Sequence, residues 1–410
     1  MSKQTKKNKS KRVNKNNKNK KDIKLTSESN KIAMNCLKAY GHLMNVDINN
    51  NKFIDLIYKS LNNASKQSKK INYESTIEPL NSINLSSSYF LDKTIITNLR
   101  KTLDYVCKVK FTIFEQFDFS FNIYYNHGNQ NKLKQIIDKT IFVLCFCLQY
   151  FDETKNIHKF SINLYMGYDN KNVLGFSNKI EPRHINSGYY FYDPLTETSN
   201  ITIFRKEEWF KTLIHECVHC FNLDFKSSKI NFTTLFSDLF YINSNYVVNE
   251  AFTEFWARIL NCAMVSYFSL FQLNKKNFKE LFVMNLNTER CFSLYQSYKL
   301  LKLFGLQYSQ IIDKTNEKVT KKLYKESTNA FCYYVITSIL MFNFDKTLKW
   351  FTNENYDSMI FHKTERQIMI FCYYLKELSR SNELLELFNE IQQNDIHHNT
   401  MRMSVFELEI

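Results

Sequence analysis

Apolar residues along this chain follow two rhythms, and the rhythm changes where the architecture is expected to change. Between residues 30 and 62 they recur at helical spacing, as Ile32, Met34, Cys36, Leu37 and Tyr40, then Phe53, Ile54, Ile57 and Leu61. A polar Ser/Asn/Lys stretch at 62–74 predicts a linker or loop, and residues 90–106 predict another helix. The period then drops to two. Val109, Phe111 and Ile113 alternate with Lys and Thr, and Phe117, Phe119, Phe121 and Ile123 alternate with Asp118, Ser120 and Asn122. Alternation with one apolar face predicts half-buried strands. A long apolar helix is predicted at 131–151 and a strand through Phe160, Ile162, Leu164 and Met166. Two shorter strands follow at Gly188–Tyr192 and Asn200–Phe204, joined by a turn containing Asp193-Pro194.

A helix at about 206–222 comes next, and from 246 onward the pattern is helical almost throughout, as in 277–304, 329–342, 364–378 and 381–392. Ser381 is a suitable N-cap for the last of these. Composition supports a large core: 44% of residues are hydrophobic, and 6 Gly with 3 Pro argue against a loop-rich or repeat-linker chain. The length of 410 residues allows two or three domains. The fold expected is α+β, with a disordered basic tail at 1–28, an α+β upper subdomain at 29–222 and a helical lower subdomain at 223–410.

The helix at 206–222 carries His215-Glu216-Cys217-Val218-His219. On a helix this HExxH spacing puts two imidazoles on one face, a turn apart, where both can reach one metal ion. Ile214 with Val218, and Phe210 with Leu213 and Cys217, form apolar stripes that would pack the helix while the histidines face a cleft. A catalytic zinc usually takes three protein ligands and leaves a fourth position open. Downstream, Asn249-Glu250-Ala251-Phe252-Thr253-Glu254 offers two carboxylates one helical turn apart. One can bind the metal while the other accepts the free ring N–H of a ligand histidine.

In these two motifs the chain resembles the gluzincin metallopeptidases, the group that includes the thermolysin-like enzymes, over roughly residues 205–260. Their pattern is HExxH followed on a later helix by NExxxD or NExxxE. A more distant likeness is to the short zincin domains related to phage-type regulatory peptidases. The gluzincin resemblance implies a zincin-like fold and a single Zn2+ held by His215, His219 and Glu250, with Glu216 as general base and Glu254 supporting a ligand histidine. It implies a peptide or protein substrate. The interval from His219 to Glu250 is longer than in thermolysin, so the connecting segment must differ. The family stabilises the oxyanion with a histidine or a tyrosine, which no motif here identifies. Tyr333 and Tyr334 are candidates on a downstream helix, with Tyr334 taken as the assignment, although tyrosines there more often fill a core. His184, in a loop, is a weaker candidate, since a lone loop histidine is more often merely exposed.

Charge changes the picture only at the N-terminus. The net charge is +15, and residues 1–24 hold eleven Lys/Arg against the single acid Asp22. With almost no apolar residues this tail is expected to be disordered. Lys6, Lys7, Lys11, Arg12, Lys20 and Lys21 are its candidate contacts to nucleic acid or an acidic surface, or parts of a nuclear import signal. A non-enzymatic zincin scaffold with a nucleic-acid or virion role through this tail is the alternative function, and a zinc hydrolase acting on non-peptide substrates is a third. No secretory h-region is visible, the apolar runs at 140–148 and 330–342 are too short to span a bilayer, and the 10 Cys lack regular spacing. These features predict an intracellular protein with reduced cysteines. Heavy use of Asn, Lys and Ile suits an AT-rich genome, and in this the chain resembles proteins of giant viruses.

Overall fold

The structure is a computed structural model that describes residues 25–409 except 45–50, 84, 86–87, 89, 152–156, 174–175, 271, 355–362 and 397. The basic residues Lys6, Lys7, Lys11, Arg12, Lys20 and Lys21 lie outside the described residues. Structure begins earlier than the expected tail boundary at 28. Leu25 bridges Leu408, and the Thr26 side chain caps the first helix, α1 (Ser27–Tyr40), by accepting from the Ser29 N–H.

Helix α2 (Asn51–Ser68) runs on through residues expected to form a linker, because Ile57, Leu61 and Ala64 keep one stripe buried while the Asn, Ser and Lys residues face water. The linker or loop expected at 62–74 is therefore helix at 62–68, and only 69–73 form a loop before the next strand. Strand β1 (Glu74–Pro79) follows, exposed at every position. Next come α3 (Lys93–Thr102), the hairpin β2 (Tyr105–Ile113) and β3 (Phe117–Tyr125), α4 (Leu133–Cys147) and β4 (Lys159–Tyr165). The short helix α5 (Pro182–Ile185) leads into β5 (Gly188–Asp193) and β6 (Thr198–Ile203).

These strands form one six-stranded mixed sheet in the order β1-β2-β3-β4-β6-β5. β3–β4 and β4–β6 are parallel and the other pairs antiparallel. A parallel pair needs a crossover, and α4 supplies the one between β3 and β4. Period-two alternation delivers Phe111, Phe119 and Phe160 to one face, where their rings stack at 5.2 and 4.8 Å. The sheet therefore ends on one side in β5, which pairs only with β6 among the described residues.

After the sheet the chain is helical: α6 (Trp209–Cys220), α7 (Phe232–Phe236), α8 (Val248–Ser269), α9 (Lys275–Lys302), α10 (Tyr308–Ile311), α11 (Glu317–Leu323), α12 (Thr337–Phe342), α13 (Phe344–Glu354), α14 (Glu365–Ser379) and α15 (Asn382–Gln393). The Ser381 side chain caps α15 by accepting from Leu384 N–H. α6 packs on β5 and β6, on α4 and on α8.

The class is thus α+β, but the expected boundary at 222 marks no break in packing. One apolar cluster runs from Ile32 to Leu408, and the N-terminal helix α1 packs on α9. The physical reason is that α1 carries an apolar stripe that the sheet does not cover and buries it on α9, while α2 packs mainly on α4 and also touches α8 and α9. All ten cysteines are buried and none forms a disulfide, Cys217 and Cys220 included. Among the described residues no helix is long and apolar enough to cross a membrane.

Candidate metal centre

Helix α6 is buried along its whole length. It starts from Glu208, a non-glycine residue at φ 57°, a backbone conformation that needs compensation from its surroundings. The compensation is visible: the Glu208 carboxylate accepts from Met403 N–H at 3.0 Å and Ser404 N–H at 2.6 Å and pairs with Lys171 Nζ at 2.8 Å. The helix ends in a reversal. Leu223 N–H bonds to the Val218 carbonyl and Asn222 N–H to that of His219, with Asn222 at φ 55°. This 6→1 and 5→2 pair is a Schellman motif with Asn at its left-handed position. It turns the chain back so that Asp224 lies beside the helix it has just left.

His215 and His219 project from the same face, their Nε2 atoms 3.2 Å apart. Each Nε2 lies 3.3 Å from Glu250 Oε2, which α8 presents from its first turn. The other ring nitrogens face carboxylates: His215 Nδ1 is 2.9 Å from Glu254 Oε2, and His219 Nδ1 is 2.7 Å from Asp224 Oδ2. An ionised carboxylate only accepts, so each Nδ1 carries the ring proton and donates. With both rings neutral the two Nε2 atoms are lone pairs, and with Glu250 Oε2 three acceptors converge on one point. Such an arrangement is repulsive without a cation. Ligands about 2.0–2.1 Å from a tetrahedral ion lie about 3.3 Å apart, so the spacing fits one metal ion. His215, His219 and Glu250 can hold a metal ion.

Glu254 is fully committed elsewhere. Lys211 Nζ sits 3.0 Å from both its oxygens and Arg258 Nε 2.9 Å from Oε1, with His215 on Oε2. Burial alone would raise its carboxyl, but Lys211 and Arg258 outweigh burial and hold it well below the usual range. Of the two carboxylates on α8, geometry therefore gives Glu250 to the metal group and Glu254 to orienting His215. The Glu216 carboxylate differs from both. It is 5% exposed and has no hydrogen-bond partner among the described residues, and burial raises its pKa. A buried carboxyl with free oxygens beside a metal group is equipped to take and return a proton.

The tyrosine assignment is corrected. Tyr334 is fully buried and its hydroxyl donates to the Met401 carbonyl at 2.5 Å, away from the metal group. Tyr333 is the tyrosine beside the metal group: its hydroxyl donates to Glu250 Oε2 at 3.1 Å and its ring centroid lies 5.9 Å from that of His215. Both belong to a π-helical segment, Cys332–Ile336, whose wider turn resets which side chain faces the site. Arg258 Nη2 fixes that turn by donating to the Tyr333 carbonyl at 2.9 Å. His184 is neither exposed nor near the metal group by any contact; it is buried, and its Nδ1 accepts from Glu181 N–H. Sequence reasoning missed Asp224, Lys211 and Arg258. The i, i+4 spacing of Lys211 to His215 and of Glu254 to Arg258 was the available signal for the last two.

No family model matches the chain, and no solved structure matches it. Over 124 residues it is 30% identical to a protein described as uncharacterized protein R210 of Acanthamoeba polyphaga mimivirus. The match covers 30% of this chain and 31% of that relative, so the chain aligns with about a third of the relative's length.

Proposed function

We propose that this chain is a zinc-dependent peptidase with a zincin-like arrangement of sheet edge, HExxH helix and glutamate helix. The convergence of two imidazole nitrogens and a carboxylate oxygen, with Glu216 beside them, carries the reading. Three-donor N/O sites of this kind suit zinc, which when bound supplies a Lewis acid able to acidify water and polarise a carbonyl.

The protein's own groups do the rest. Glu216 removes a proton from the attacking water and returns it to the leaving amine. Glu254 and Asp224 keep both histidines in the tautomer that leaves Nε2 free. The Tyr333 hydroxyl is the donor available to a developing oxyanion. The free edge of β5 suits an extended peptide. Phe204 N–H bonds to the Ser187 carbonyl at 2.8 Å, so by antiparallel alternation Tyr189 and Phe191 also point their backbone groups at β6. Gly188, Tyr190 and Tyr192 then offer N–H and C=O groups outward, where a substrate strand can pair.

The test separates the roles. Glu216→Gln is expected to retain one metal ion per chain by elemental analysis and to lose hydrolysis of a peptide library by about 10²–10⁴-fold. His215→Ala and His219→Ala are expected to lose the metal. Full activity in purified Glu216→Gln sinks the proposal.

A further inference from the structure

Beside Glu216 lies a cavity of about 30 Å³. Its walls include Ser187 and Gly188 at the start of β5, Thr212 on α6, Tyr333 and Met403. Two of the lining residues, Ser187 and Thr212, are each 4% exposed, and their hydroxyls have no hydrogen-bond partner among the described residues. The cations at its border are already paired, Lys171 with Glu208 at 2.8 Å and Lys211 with Glu254 at 3.0 Å, so nothing there recruits an acidic group.

Resting on the peptidase reading, we propose that this cavity receives the side chain next to the cleaved bond and admits only glycine, alanine or serine. The size sets the limit. One water needs about 10–15 Å³ measured this way, so the space holds about two waters, enough for a methyl or hydroxymethyl group and not for an isobutyl group. The walls are held in place. Met403 is pinned at its backbone by the Glu208 carboxylate at 3.0 and 3.1 Å, and its sulfur lies 3.5 Å from Lys211 Nζ. At Gly188 a Cβ would meet Thr212 Cγ2 at 2.8 Å, the Thr202 carbonyl oxygen at 3.0 Å and Glu216 Oε1 at 3.1 Å, so this wall is already in contact with its neighbours and has no room for a side chain.

The experiment uses the zinc-loaded full chain and a series of peptidyl hydroxamates bearing a seryl, alanyl or leucyl side chain, with binding followed by calorimetry so that no turnover is needed. Seryl and alanyl compounds are expected to bind at least about tenfold tighter than the leucyl compound. Met403→Ala is expected to abolish that gap by admitting the leucyl group. If this variant does not fold, the wild-type series decides alone. Leucyl binding as tight as alanyl in the wild type overturns the subsite, as does no binding by any of the three. A protein that ranks the compounds as expected but cuts no peptide keeps the subsite and loses the peptidase reading. One that cuts peptides with leucine on either side of the scissile bond as fast as those with alanine keeps the peptidase reading and loses the subsite.

Discussion

Asp224 shows how much of the site depends on one side chain that no motif announced. It holds His219 by a 2.7 Å bond to Nδ1, and its own side chain is 1% exposed. Its place follows from the helix-ending reversal at Asn222, a backbone event that a motif search cannot see. Removing the acceptor frees the His219 ring to rotate and to protonate Nε2. Asp224→Ala is therefore expected to weaken metal binding about 10–100-fold in a chelator competition. Asp224→Asn should recover part of that loss, because its amide oxygen can still accept from Nδ1. Glu254 is the poorer position for such a test. Its removal strands Lys211 and Arg258 in the core, at a cost of about 3–5 kcal/mol, and so confounds affinity with stability. An Asp224→Ala protein that binds metal like the wild type would show that His219 needs no partner.

Elements were legible in the sequence where burial is periodic and obscure where it is not. The alternation at Val109–Ile113 and Phe117–Ile123 marked β2 and β3, and the HExxH and NExxxE spacings placed the metal group on α6 and α8. β1 escaped because every one of its side chains is exposed, so it leaves no alternation to read. Tyr333 was not separable from Tyr334, because the π-helical turn at Cys332–Ile336 breaks the 3.6-residue period on which any choice of face relies. The two tyrosines now make a matched comparison within one element. Tyr333→Phe removes the donor facing Glu250 and is expected to lower kcat about 10²–10³-fold with metal content unchanged. Tyr334→Phe removes the bond to Met401 and is expected to cost about 1 kcal/mol in unfolding free energy with kcat unaltered. Equal loss of kcat in both variants would mean that the segment acts through packing and not through the Tyr333 hydroxyl.

At the scale of the molecule, the residues following α15 tie the site to the rest of the core, and carboxylates do the tying. Glu208 holds Met403 and Ser404, Arg402 pairs with Glu207 and Glu407, and Glu289 Oε2 accepts from Ser404 Oγ at 2.9 Å and Val405 N–H at 3.0 Å. Glu289 Oε1 has no hydrogen-bond partner among the described residues. Burial pushes the Glu289 carboxyl from its ordinary 4.5 up to about 7, against the pull of Arg258 and the Val405 and Ser404 donors. Between those two values the folded chain keeps a proton that the unfolded chain has released. The contribution to stability is therefore complete below about pH 4.5 and is lost as pH rises through about 7, a change of order 3 kcal/mol. Glu326 also rises to about 7 and acts in the same direction, whereas Lys299, lowered by burial to about 7, acts oppositely, so the absolute pH profile mixes all three. A substitution isolates one of them. Glu289→Gln keeps an amide oxygen for Ser404 and Val405 and cannot titrate. It should match the wild type within about 1 kcal/mol at pH 5 and exceed it by about 2–3 kcal/mol at pH 8 in urea unfolding. A difference between the two proteins that is the same at both pH values would show that Glu289 is ionised in the folded chain across the whole range, with Arg258 and the Ser404 and Val405 donors together offsetting its burial.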